Sequence, residues 1–191
     1  MSKYHSLVTR ILLFVGVGLI AVACGGAGGA GGADLPDTDG AAVLEYVTDT
    51  EPYTTWGTWP SDEWNNFNTN LVSGAPHGNV VHIYVNDIAL DAADEFDGEL
   101  PPGSMIVKEN YAGTDPDNPG ELDALTVMYK TDDFNPDAGN WYWVKGKPSG
   151  QVDAEGAVDG CIGCHSQAGN KDFVLRYGFG GEPAVATLRE K

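Results

Sequence analysis

Two cysteines separated by two residues, with a histidine directly behind them, constrain this 191-residue chain more than any other feature: Cys161-Ile162-Gly163-Cys164-His165. Such a run is the attachment signal for a c-type haem, in which each thiol adds across a porphyrin vinyl group and the following imidazole is placed to bind the iron from one side. A zinc site would need a second pair of ligands, and the only other cysteine, Cys24, lies at the far end of the chain. A redox dithiol would sit where a strand enters a helix of a thioredoxin-like unit, whereas Asp153 to Gly160 reads as a Gly- and Asp-containing loop. The residues point first to one covalent haem c, held by Cys161 and Cys164 with His165 as an axial ligand of its iron. Dithiol and zinc chemistry stand behind it as alternatives.

Cys24 has a separate explanation. Lys3 and Arg10 make a basic start, Ile11 to Val22 is an apolar run too short to span a bilayer, and Ala21-Val22-Ala23-Cys24 has the small residues of a cleavage site. Residues 1–23 are therefore expected to be a lipoprotein signal peptide and Cys24 the lipidated first residue, although Ala21 stands where such signals more often carry Leu. An ordinary cleaved signal is the alternative. Either exports the chain, to a bacterial periplasm or cell surface, and thioether haem is likewise assembled outside the cytoplasm. Gly25 to Ala33 is all Gly and Ala, and Asp34 to Gly40 adds Asp and Pro. This stretch has little to bury, so residues 24–40 are expected to form a flexible tether. The remaining residues, 41–191, suffice for a single haem-binding domain with its own core.

Ten basic side chains face 28 acidic ones, a formal charge of −18; loss of the signal would remove two bases and no acid, leaving −20. Phosphate recognition needs a basic patch, so nucleic acid is not expected as a partner. Many of the acids lie in turn-like stretches such as Asp115 to Gly120 and Asp132 to Asp137, where turn chemistry accounts for them without a calcium loop.

Alternation predicts strands over Asn79–Val85, Ser104–Tyr111, Ala124–Lys130 and Asn140–Lys145. Helices are expected at Ile88–Phe96, capped by Asp87, and at Asp62–Leu71, capped by Ser61. The fold class is thus α+β, mainly antiparallel β-sheet with a few helices. Most small c-type cytochromes are helical, with the attachment run near the N-terminus and a methionine ligand downstream. Here 26 residues follow His165, none of them methionine. Met105 and Met128 are upstream alternatives, but core packing is their default. His77 and His82 are candidates for a sixth ligand or a proton relay, with hydrogen-bonded structural roles as the simpler reading. The tryptophans 56, 59, 64, 141 and 143 could pack on porphyrin, in the core or across a dimer, with core packing the default for each.

Four segments in order resemble the cytochrome P-460 family, which includes the β-sheet cytochromes c-prime: His77-Gly78 with Val81 to Asp87; Leu100-Pro101-Pro102-Gly103 with Ser104 to Glu109; Phe134 to Trp141; and the attachment run followed by Asp172-Phe173-Val174. They cover His77 to Tyr177. The resemblance implies a mostly antiparallel homodimer whose five-coordinate haem iron is open on its distal side to a small nitrogenous or gaseous ligand. In catalytic members a lysine is bonded to the porphyrin rim, and Lys108 occupies that place. Alternation puts Lys108 with Ile106 on one strand face and Met105, Val107 and Glu109 on the other. Burial beside porphyrin would expose the amine lone pair that such a bond needs. Hydroxylamine-oxidising relatives are expected to place a carboxylate over the iron, on the strand after the lysine; Leu125 to Tyr129 contains none. Three readings follow. The chain oxidises hydroxylamine or nitric oxide and hands electrons to an acceptor protein or second cytochrome; it binds or senses nitric oxide without turnover; or it only transfers electrons.

Overall fold

The computed structural model describes residues 34–58, 68–69, 77–93, 98–168 and 171–175. All of them lie in one compact unit that begins at Gly32. Seven antiparallel strands form a single sheet among the described residues: β1 (Gly57–Thr58), β2 (Asn68–Thr69), β3 (Val80–Val85), β4 (Met105–Tyr111), β5 (Leu122–Lys130), β6 (Trp141–Gly146) and β7 (Val152–Gly156). Strands β3 to β7 lie side by side in chain order, and β1 and β2 both pair with β3. Three short α-helices accompany it: α1 (Gly40–Glu45), α2 (Asp87–Ala93) and α3 (Asp159–His165). The architecture is the expected α+β, mainly antiparallel one.

The four strands expected from alternation form β3, β4, β5 and β6, each within two residues of the expected bounds. Two elements differ. Asp153 to Gly160, read as a loop, supplies most of β7 and the start of α3. Short polar-apolar alternation in Val152-Asp153-Ala154-Glu155 is masked by its acids, yet pairing with β6 satisfies its backbone in register, Val144 opposite Glu155 and Lys145 opposite Ala154. The Asp62–Leu71 helix lies mostly outside the described residues, but Asn68–Thr69 within it pairs as a strand. Helix α2 is capped by Asn86 rather than Asp87: the Asn86 Oδ1 accepts from Ala89 N at 3.1 Å, while its other bonds, to Met105 N and Gly103 O, tie the helix start to the entrance of β4.

The sheet is covered on both faces, which is why its strands are apolar on both sides. On one face Met105, Val107, Leu125, Val127, Tyr142 and Val144 pack against Val43, Leu44 and Val47 of α1 and the π-helical turn that follows it. Asp39 caps α1 through Ala42 N at 2.9 Å, and Tyr129 OH donates to Pro36 O. The folded chain thus reaches back to Pro36, into the stretch whose composition suggested a tether. On the other face Val85, Ile106, Met128, Trp141 and Trp143 meet α2 and the segment from Val158 through α3 to Val174. The second face leaves a cavity between strand and helix.

Candidate functional site

Helix α3 is a single short element whose geometry decides the site. Residues three and four apart lie on one helix face, so Cys161, Cys164 and His165 all turn toward the sheet. Together with Ile106 and Lys108 of β4, Thr126 and Met128 of β5, Trp143 of β6 and His77, they line a cavity of about 500 Å³, including its mouth.

His165 is buried, and its Nδ1 lies 2.7 Å from the carbonyl of Phe173. A carbonyl can only accept, so Nδ1 carries the proton and Nε2 keeps its lone pair for a metal. Burial, with the nearby Lys108 charge adding to it, lowers the His165 pKa to about 4. The imidazole is therefore neutral at physiological pH, as a ligand must be. Its ring makes an edge contact with Trp143 at 4.7 Å between centroids. Burial also pushes the Cys161 thiol up.

Lys108 faces the same cavity, as alternation along β4 predicts, and desolvation lowers its pKa to about 8. About a tenth of the amine is then neutral at pH 7, and the neutral form is the one that can act as a nucleophile. His77 also faces it. Asn110 holds the His77 ring: its Oδ1 accepts from His77 Nδ1 at 3.0 Å and from Gly78 N at 3.3 Å. The Asn110 amide nitrogen donates to the carbonyls of Lys108 (2.9 Å) and Ala124 (3.1 Å) and to Thr126 Oγ1 (3.2 Å). This fixes the amide orientation, and with it the His77 tautomer, leaving the His77 Nε2 as an acceptor. Burial first, then Lys108, lowers the His77 pKa to about 3. His77 is thus both the hydrogen-bonded histidine and a cavity wall, 6.3 Å from the His165 ring between centroids.

The other sequence candidates separate cleanly. Met105 is fully buried in the opposite face and His82 lies on that face beside Tyr84 and Glu109, so neither belongs to the cavity. Met128 does line it. No carboxylate lines the cavity among the described residues, and Asp132 and Asp133 are exposed. Strand β5 starts two residues earlier than expected and so gains one acid, Asp123, but this is an exposed partner of Lys147. Trp59, Trp64 and Cys24 lie outside the described residues, and Trp56 packs against the α1-covered core. Thr126 and Asn110 were not singled out from sequence; each shares the strand face that alternation gives to Lys108 or to Met128, which was the available signal.

The cavity suits a large flat apolar group. Its walls are almost wholly apolar, and the buried indole N–H of Trp143 has no hydrogen-bond partner among the described residues. The alternatives fit less well. A thioredoxin-like dithiol needs a parallel β-α-β unit, and among the described residues all the strand pairings are antiparallel. The described residues hold no cluster of three or more His, Cys, Asp or Glu side chains that would bind a zinc ion.

The family model described as Cytochrome P460 matches residues 50–176, a span that contains Lys108, both motif cysteines and His165. No curated protein matches the chain.

Proposed function

The chain belongs to the cytochrome P460 family and is a c-type haem cytochrome, and from this we propose that it is an exported, lipid-anchored protein binding a small neutral nitrogen species, nitric oxide foremost, at one haem c. Cys161 and Cys164 hold the haem by thioether bonds and His165 Nε2 binds its iron. Haem iron with an open axial position takes up small ligands and passes single electrons. The observation that carries the reading is the convergence of those three side chains with Lys108 and Met128 on one apolar, carboxylate-free cavity. Apolar walls exclude water and hold a gas without competing hydrogen bonds. The signal ending before Cys24 and the Gly/Ala run after it support export and anchoring; the family resemblance is what supports the proposal of a homodimer with an external redox partner.

A second reading, oxidation of hydroxylamine, is favoured by one observation: the Lys108 amine lies in the cavity with a pKa near 8. The neutral amine supplies the nucleophile for a bond to the porphyrin rim, and His77 Nε2 supplies the only neutral imidazole acceptor besides His165 among the cavity walls. Both readings share one experiment: peptide mapping of the purified holoprotein, then visible spectra with nitric oxide and with hydroxylamine plus an electron acceptor. A free Lys108 peptide, nitric oxide binding and untouched hydroxylamine support the binding protein. A haem-linked Lys108 peptide with turnover supports the enzyme, and a six-coordinate spectrum that neither ligand changes defeats both.

A further inference from the structure

The segment behind the proximal histidine has a conformation that its own residues disfavour. Asp172 and Phe173 both take left-handed backbone angles, φ 50° and 62°. Such angles crowd the side chain of any L-residue, and a bulky phenylalanine most. Two in succession persist only where the surroundings impose them.

Here the surroundings are unusually specific. The Asp172 carboxylate is buried and accepts from Lys130 Nζ at 2.7 Å, from Leu100 N at 2.9 Å and from Trp141 Nε1 at 3.3 Å. The same indole donates to the Asp172 backbone carbonyl at 2.7 Å. Lys130, 4% exposed, completes its own bonding with Gly139 O at 2.7 Å and lies over the Trp141 ring. Gly139 is required beside them: its φ is 65°, and a Cβ there would come within 2.9 Å of the Asp172 carboxylate. Three segments distant in sequence thus converge on one carboxylate. A buried ion pair adds little net stability over apolar packing of the same shape, so what this one visibly does is fix geometry.

What the geometry fixes is the next carbonyl. We propose that Asp172, held by Lys130 and Trp141, is a positioning residue for the iron ligand: the clamp sets the left-handed turn that aims the Phe173 carbonyl at His165 Nδ1. This rests on His165 as the proximal ligand. Donation from Nδ1 to a carbonyl makes the imidazole more basic toward iron and favours the ferric state. Lys130, Trp141 and Asp172 therefore tune the iron without lining the cavity.

The test uses haem-loaded protein matured in an exporting host, with covalent haem content, the iron–imidazole stretching band of the ferrous form, the midpoint potential and Tm measured together. Asp172→Asn and Lys130→Met are expected to keep covalent haem, to lower the stretching frequency and to shift the ferric/ferrous equilibrium about tenfold toward ferrous, about 59 mV for one electron. Lys130→Arg is expected to return both readouts most of the way. Trp141→Phe, which keeps an aromatic ring, though a smaller one, and removes the donor, is expected to shift them less and in the same direction. Unchanged band and potential in Asp172→Asn, with Tm alone reduced, overturn the proposal. If neither charge variant carries haem, Trp141→Phe decides by the same two readouts. Wild-type protein recovered with Cys161 and Cys164 free would instead overturn the haem reading itself, and this inference with it.

Discussion

Lys108 and Glu109 are neighbours in β4, yet they live on opposite faces of the sheet and show what each face is for. Glu109 enters the α1-covered face and is saturated there. Tyr53 OH and Tyr111 OH donate to it at 2.7 and 2.8 Å, and His82 Nδ1 lies 3.6 Å away. Burial pushes its pKa up, but the bonds from His82, Tyr53 and Tyr111 outweigh that and hold it below the ordinary value. Lys108 enters the cavity, where desolvation dominates and its pKa drops. One face binds its charges to itself; the other desolvates an amine and holds two imidazoles neutral around an apolar cavity. The two sides of the sheet therefore differ in kind, with a packed core and internally paired charges on the α1 face and the apolar cavity on the α3 face.

The sharpest way to break that comparison is to remove the attachment. Cys161→Ser with Cys164→Ser is expected to abolish covalent haem, read as loss of the haemochrome signal in denatured protein, while far-ultraviolet circular dichroism still reports the sheet; collapse of the sheet would show that the faces are not independent. Next, Leu125→Ala on the α1 face is expected to cost about 2–5 kcal/mol in denaturant unfolding and to leave the haem spectrum unchanged. A spectral shift comparable with that of a cavity variant would contradict the division. Glu109→Gln should cost about 1–3 kcal/mol at neutral pH by weakening a charged hydrogen-bond cluster. Because the native pKa of Glu109 is lowered, its stabilisation is present above the unfolded value near 4.5 and lost as pH falls through the native one. The gap between Glu109→Gln and wild type is thus expected to close under acid, and a gap that widens contradicts the assignment.

Smaller effects sharpen the cavity face. Met128→Leu conserves volume and should cost less than about 1.5 kcal/mol, but is expected to alter nitric oxide affinity, measured by titration of the ferrous haem. If Lys108 bonds to the porphyrin, the rate of bond formation in freshly matured protein should rise as pH climbs through about 8 and then level off, because only the neutral amine reacts. A rate flat between pH 6 and 9, followed by mass spectrometry, argues that proton loss from Lys108 is not limiting.

Much of this was legible beforehand. Alternation located β3 to β6 and put Lys108 and Ile106 on one face, since a strand's period is a local property of the chain. The attachment run announced the haem for the same reason. The acids of β7 hid a strand, because its pairing depends on β6 rather than on its own pattern. Helix α3 was hidden too, since two glycines in seven residues give weak helical propensity. The choice between Met105 and Met128, or between His77 and His82, followed only in part from parity, because which face carries the cavity is not written in either strand.

Residue order alone carried the haem-attachment motif, the family resemblance and the periodicity that assigns each side chain to one side of a strand. The tertiary structure alone decided which side became the pocket, and it built Asn110 into the holder of His77. It also joined Lys130, Trp141 and Asp172, 42 residues apart at their extremes, next to the Phe173 carbonyl that meets His165 Nδ1. The reason is physical: period and motif are encoded between neighbours, whereas burial and hydrogen-bond satisfaction arise only when distant segments close around one another.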